Sequence, residues 1–147
     1  MAQIRRADST WNGDLLKGSG TIRSVTSGAF GDLPVTWAAR TEAPEGKTSP
    51  EELVAAAHAS CFSMALSNTL AKAGSPPEQL DVSAEITFDK LEPGWRVTRS
   101  ALTVRGRVPG MSADAFREAA EAAKVGCPIS NALNPSIELT VDASLEE

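Results

Sequence analysis

The first third of the chain alternates apolar and polar positions in short runs, which is typical of β-strands. Three runs predict strands: Gln3–Trp11, Leu15–Val25 and the shorter Val35–Ala39. The first two are separated by Asn12-Gly13, a dipeptide that favours a tight hairpin turn. We therefore expect a hairpin here, followed by a third strand.

Alternation returns in the second half of the chain. Leu80–Phe88 alternates strictly between an apolar and a polar face, which predicts a half-buried strand. The apolar phase of the next run, Trp95–Val108, shifts between Val97 and Leu102, which predicts a β-bulge. Ile137–Ala143 is the last predicted strand.

The clearest helix signal lies between these two groups of strands. Ser49 can cap a helix that has Pro50 at its first position and Glu52 completing a capping box. We expect this central helix to end near Ala73, before Gly74.

Two further helices are predicted after the long strands. Ser112 caps Ala113–Lys124, and Cys127 begins a short helix that ends before Asn134. The resulting order, βββα ββαα β, predicts a single α+β domain over residues 1–147 with mainly antiparallel strands.

The central helix lacks charged side chains over Leu53–Leu66. A helix that is apolar on all sides has to be buried on all sides, yet this run is only about 21 Å long, too short to cross a bilayer. We therefore predict no membrane partner and infer a homodimer that packs this helix at its centre. A monomer that buries the helix beneath a sheet is the alternative.

Composition limits the available chemistry. The chain has 14 Lys and Arg against 19 Asp and Glu, a net charge of −5, so we expect no nucleic-acid partner. His58 is its one histidine, and Cys61 and Cys127, its two cysteines, lack the paired spacing of a zinc site. The sequence thus predicts no metal and no cofactor. The polar N-terminus has no apolar signal segment, which predicts a cytoplasmic protein with free thiols.

The role of Cys61 is open from its position in the central helix alone. A buried cysteine is commonly an inert small side chain, whereas a reactive one needs a nearby cation that stabilises the thiolate. His58 lies on the same helical face, although a buried, hydrogen-bonded imidazole is the more ordinary role for it. Arg40, and less strongly Arg23, are the candidate cations outside the helix; the alternative for each is a solvated surface charge.

Cys127 and Glu51 complete the set of candidate residues. At a helix N-cap, Cys127 is expected to be accessible and easily ionised, as a resolving cysteine requires, although a purely structural cap is equally compatible. Glu51 precedes Cys61 by ten residues, which is about 15 Å on one helix and on a different face. Glu51 would therefore reach Cys61 more readily from the partner chain of an antiparallel helix pair, where an Arg–Glu pair would hold the guanidinium rigid.

Two separated cysteine motifs carry a family resemblance. The sequence resembles the OsmC (osmotically inducible protein C) branch of the OsmC/organic hydroperoxide resistance (Ohr) family at Thr48–Leu53, Ala56–Leu66, Gly126–Ser130 with Leu133, Trp11–Asp14 and Lys17–Gly20. These segments extend over essentially the whole chain.

The resemblance implies an OsmC-like fold, with mainly antiparallel sheets wrapped around central buried helices in an intertwined homodimer that has its two active sites at the interface. It implies a thiol peroxidase in which Cys61 is peroxidatic, Cys127 is resolving and the two form a disulfide. Glu51 matches the family's catalytic glutamate, which orients an arginine. Thr36–Arg40 resembles the OsmC-branch arrangement, so that role is carried to Arg40, and no role is assigned to His58.

The expected reaction is reduction of organic hydroperoxides, and less efficiently of hydrogen peroxide, in oxidative or osmotic stress defence. Phe62, Met64 and Leu66 near Cys61 are expected to form an apolar pocket for an alkyl tail. A dithiol reductant (a lipoyl group, a thioredoxin-like protein or a small dithiol) would reopen the disulfide. A cysteine-based redox sensor and a catalytically silent dimeric binding protein are the alternative functions.

Overall fold

The computed structural model describes residues 1–146 and divides the chain into two compact units, Met1–Leu53 and Val54–Glu147. The first unit holds an antiparallel sheet of order β1-β2-β3, formed by β1 (Ala7–Asn12), β2 (Ser19–Val25) and β3 (Gly31–Val35). The predicted hairpin is confirmed, but both strands begin later than predicted.

The residues between β1 and β2 form a turn instead of the start of a strand. Gly13 has φ +89°, a conformation that side chains rarely adopt, and the Asp14 carboxylate accepts hydrogen bonds from the backbone N–H groups of Leu16 and Lys17 at 2.9 and 2.8 Å. This local bonding satisfies the backbone without a strand partner.

The third predicted strand, Val35–Ala39, is wrong. The strand β3 ends at Val35, and Trp37–Thr41 forms a short helix, α1. The Thr36 hydroxyl caps this helix by accepting a hydrogen bond from the Ala39 N–H at 3.1 Å. The alternation of apolar and polar side chains was compatible with a strand, but the cap provided by Thr36 stabilises a helix instead.

The central helix, α2 (Pro50–Lys72), is confirmed to within a residue. The Ser49 hydroxyl accepts a hydrogen bond from the Glu52 N–H at 3.1 Å, as a cap should. The Glu52 carboxylate accepts a hydrogen bond from the Thr48 hydroxyl at 2.9 Å. Glu52 therefore bonds the residue before the cap, Thr48, in place of the return bond to Ser49 that the capping box predicted. The helix ends in a left-handed Gly74 with φ +82°.

The second unit holds a sheet of order β4-β5-β6, formed by β4 (Gln79–Lys90), β5 (Trp95–Arg107) and β6 (Glu138–Leu145). The first pair is antiparallel and the second parallel, since α3 (Ala113–Gly126) and α4 (Pro128–Leu133) form a crossover between β5 and β6. The mainly antiparallel α+β class is confirmed.

The predicted bulge is also confirmed. Phe88 pairs with Val97 and Thr87 pairs with Arg99, which leaves Thr98 as the extra residue on β5.

The core of the second unit lies between α2, α3 and the sheet. Its fully buried members include Phe62, Leu66, Leu70, Leu102, Val104 and Phe116. The opposite side of α2 is exposed, with Met64 68% accessible and Ala56, Ala57 and Ser60 also exposed. A single chain therefore buries α2 on one side and does not meet the expectation of burial all round.

Over its full 23 residues α2 is long and apolar enough to cross a membrane, by length and composition only. The shorter uncharged run alone gave the opposite expectation. Phe62, Leu66 and Leu70 of α2 pack in the core of the second unit. The core helix of a globular unit meets the same criterion of length and apolar composition as a membrane-spanning helix.

Candidate active site

Arg40 and Glu51 form a two-pronged ion pair within the first unit. Arg40 lies in the last turn of α1, and Glu51 lies in the first turn of α2. The guanidinium donates from Nη2 to Oε1 at 2.7 Å and from Nε to both carboxylate oxygens at 3.1 and 3.0 Å. The two side chains are 29% and 11% exposed, so the pair is shielded from water without being sealed off. Arg23, the alternative cation, is solvent-exposed on β2.

An aromatic ring also restrains the guanidinium. The Arg40 carbon Cζ lies 5.7 Å from the centre of the Trp37 ring, within the range of a cation–π contact. A cleft of about 290 Å³ opens beside it in the first unit. Its walls are mostly apolar, formed by Trp11, Leu15, Val35, Thr36, Trp37 and Pro50, with Arg40 as the charged member.

The two cysteines meet in the second unit. Both are free thiols, and they lie close enough that each shifts the pKa of the other. Cys61 is partly exposed on α2, whereas Cys127 caps α4 and is 0% exposed.

The expectation that Cys127 is accessible is therefore wrong. Phe116, Ala120 and Ala123 form the buried face of α3, and Cys127 continues that helical spacing into the core. The cap position predicted exposure, but Cys127 lies on the same side as the buried face of α3 and is therefore buried.

The ionisation of the two thiols differs in direction. Burial raises the pKa of Cys61; a hydrogen bond from the Ile129 N–H opposes this only in part, and the neighbouring Cys127 adds to the rise. Burial also acts against ionisation at Cys127, but hydrogen bonds from the Ser130 backbone and side chain and from Cys61 outweigh it, and the pKa of Cys127 is lowered.

A second cavity, of about 410 Å³, opens beside Cys61. It is lined by Cys61, Met64, Ala65, Asn68, Thr69, Ala123, Gly126 and Pro128, and none of these carries a charge. Met64 lines it as predicted. Phe62 and Leu66 do not, because they lie on the buried side of α2 and are 0% exposed.

His58 is a fully buried imidazole held by two serines. Its Nδ1 lies 2.6 Å from the Ser100 hydroxyl and its Nε2 lies 2.8 Å from the Ser130 hydroxyl. Burial lowers the pKa of His58, so the ring is neutral near pH 7 and supplies no positive charge to Cys61. The predicted hydrogen-bonded histidine is confirmed.

The sequence reasoning missed both serines as its partners. Ser100 shares the inward phase of β5 with Leu102 and Val104, which was an available signal of burial.

With this geometry established, comparison with known proteins settles the family. The model of OsmC-like proteins matches residues 43–142. The chain belongs to the OsmC family. It is 40% identical to Peroxiredoxin OsmC of Escherichia coli over 142 residues, which are 97% of this chain and 96% of that protein. It is 26% identical to the organic hydroperoxide resistance protein OhrA of Bacillus subtilis, over 77% of this chain and 79% of that one.

Solved structures support the OsmC fold independently. An organic hydroperoxide resistance protein from Elizabethkingia anophelis superposes with a TM-score of 0.76 at 22% identity, over 99% of this chain and 100% of that chain. The family resemblance and the OsmC-like fold of the chain are confirmed, and the intertwined homodimer stays a prediction.

Proposed function

We propose that this OsmC-family protein reduces organic hydroperoxides to alcohols, with Cys61 as the attacking thiol and Cys127 as the resolving thiol. A peroxidase-type redox enzyme is supported by the 40% identity to Peroxiredoxin OsmC over almost the whole chain. The observation that carries the finer assignment is the proximity of two free thiols, each of which shifts the pKa of the other, beside an open cavity.

The chemistry proceeds in two steps. The Cys61 thiolate attacks the terminal peroxide oxygen, the O–O bond breaks, and the leaving alkoxide takes a proton to become an alcohol while Cys61 becomes a sulfenic acid. The Cys127 thiolate then attacks that sulfur, the S–O bond breaks, and hydroxide leaves as water once protonated. A dithiol reopens the resulting disulfide by exchange. Because the two thiols are close enough to shift each other's pKa, Cys127 needs no exposure to solvent to act.

Activation of Cys61 requires a cation that its own cavity lacks. The pKa of Cys61 is raised by burial, and the residues lining its cavity are uncharged. The Arg40–Glu51 pair of a partner chain in a homodimer is the proposed source. The exposed, uncharged side of α2 supports such a partner, because burying it would remove apolar surface from water. Arg40 would stabilise first the thiolate and then the developing alkoxide, and Glu51 would hold it in place.

The apolar surroundings favour substrates with alkyl tails. The cleft beside Arg40 offers Trp11, Leu15 and Trp37, and the cavity beside Cys61 offers Met64. Hydrogen peroxide cannot use such contacts, so binding energy is available only to organic hydroperoxides.

Thiol titration tests the proposal directly. One equivalent of cumene hydroperoxide should remove two free thiols per chain, and a dithiol should then sustain turnover. The Cys61→Ser variant should have no turnover. Retention of both thiols after oxidant would refute the function.

A further inference from the structure

A buried chain of hydrogen-bonding groups ends at the resolving cysteine. Ser100 on β5, His58 on α2 and Ser130 on α4 are 0%, 0% and 1% exposed, and they follow one another through contacts of 2.6 and 2.8 Å. Ser130 in turn contacts Cys127: its backbone N–H donates to Sγ across an N–S distance of 3.5 Å, and its side chain contributes to lowering the pKa of that thiol. Three separate elements therefore converge on one thiol.

The direction of these hydrogen bonds is constrained. A neutral imidazole has one N–H and one acceptor nitrogen. If the Ser130 hydroxyl donates to an ionised Cys127 sulfur, its oxygen accepts from His58 Nε2–H, and His58 Nδ1 accepts from the Ser100 hydroxyl. Every buried polar group in this arrangement has a partner, and every proton points towards the sulfur.

We propose that His58 is a positioning residue for Cys127, acting through Ser130 to orient that sulfur and stabilise its thiolate for attack on the sulfenic acid of Cys61. The proposal rests on the peroxidase function above. The step it serves forms the S–S bond with an electron pair of the Cys127 thiolate, breaks the S–O bond of Cys61, and releases hydroxide that takes a proton from solvent. Cys127 is oxidised and the sulfenic sulfur is reduced.

Single-turnover kinetics separate the two steps. After mixing with one equivalent of cumene hydroperoxide, sulfenic acid formation is followed by dimedone trapping, and disulfide formation by mass analysis. The Ser130→Ala variant should slow disulfide formation about 10-fold, the effect of losing one hydrogen bond to a charged group, and His58→Phe should slow it by up to the same factor by releasing Ser130, with sulfenic acid formation unchanged in both. Ser100→Ala is the matched control, because it removes an equally buried serine from the same imidazole but leaves the Ser130 bridge, and it should slow disulfide formation less than about 3-fold.

A double variant tests the relay against simple destabilisation. Because His58 is proposed to act through Ser130, His58→Phe/Ser130→Ala should be no slower than the slower single variant. In a Cys61→Ser background, Ser130→Ala should also move the ultraviolet titration of the Cys127 thiolate to higher pH. Disulfide formation within about 2-fold of wild type in both single variants, or equal slowing of both steps, would overturn the proposal.

Failure of the proposed function is recognised separately. It appears as a wild-type protein that forms no disulfide at all, and the thiolate titration then still decides whether Ser130 acts on Cys127.

Discussion

Replacing Glu51 with glutamine tests how much the ion pair contributes to activity. The carboxylate accepts three contacts from Arg40, between 2.7 and 3.1 Å. In Glu51→Gln one oxygen becomes an NH₂ group that faces guanidinium donors, so at least one contact is lost and the ionic attraction ends. A hydrogen bond to a charged group is worth about 1.5–3 kcal/mol, so kcat/KM for cumene hydroperoxide should fall about 10- to 150-fold.

The neighbouring Glu52→Gln variant is the matched control. Both glutamates lie in the first turn of α2, so both substitutions lose the same favourable interaction with the helix dipole, about 0.3–1 kcal/mol. Glu52, however, is exposed and its carboxylate bonds Thr48 instead of Arg40. Steady-state peroxidase assays with a dithiol, alongside thermal unfolding, compare the two variants. Equal loss of kcat/KM in both, or a Glu51→Gln value within about 2-fold of wild type, would refute the role given to the pair.

Four further predictions concern the thiols, the substrate, His58 and the dimer. Cys127→Ser should leave a Cys61 sulfenic acid that dimedone traps stoichiometrically; absence of the adduct would contradict the assignment. Cumene hydroperoxide should exceed hydrogen peroxide in kcat/KM by about 10-fold or more, since even two buried methylene equivalents contribute about 1.6 kcal/mol, and equal values would exclude an apolar subsite. Burial lowers the pKa of His58. As the pH falls below about 6.5, the unfolded chain therefore binds one more proton than the folded chain, and the free energy of unfolding decreases. Above that pH the stabilising contribution of the neutral imidazole is fully present. Between about pH 7.5 and about pH 5.5, the free energy of unfolding measured with urea should therefore fall by about 1 kcal/mol more in wild type than in His58→Gln. An equal fall in the two proteins would contradict this prediction. In a background without native cysteines, Ala56→Cys should crosslink two chains on non-reducing gels, whereas a cysteine at Asn68 should not; equal crosslinking would count against the proposed helix pairing.

Most elements followed from local signals in the sequence. Ser49, Pro50 and Gly74 bounded α2 because capping and helix termination depend on neighbouring residues. The bulge at Thr98 was visible as a shift of apolar phase on one strand. The parallel pairing of β5 with β6 was not visible, because strand partners are chosen by tertiary packing and no local signal encodes them.

The candidate site was predictable in its membership and less so in its environment. The motifs named Arg40, Glu51, Cys61 and Cys127; the structure pairs the first two and places the last two close enough to shift each other's pKa. The relative burial of the thiols came out reversed, since accessibility depends on which helices cover a residue.

Two features of the single chain bear on the proposed homodimer. Cys61 borders the exposed side of α2 and has a raised pKa in an uncharged cavity, while that side carries small or apolar residues such as Ala56 and Ser60. In an antiparallel two-fold helix pair, the residue on the axis faces its own copy, and residues equally spaced on either side of it lie at the same height along the two helices. Ala56 lies five positions from both Glu51 and Cys61. A pair centred at Ala56 therefore sets Glu51 of each chain level with Cys61 of the other, and the small side chains there allow close helix approach. Such an interface would cover the exposed side of α2, and the proposed homodimer would also have to bring the Arg40–Glu51 pair to the thiol that lacks a cation.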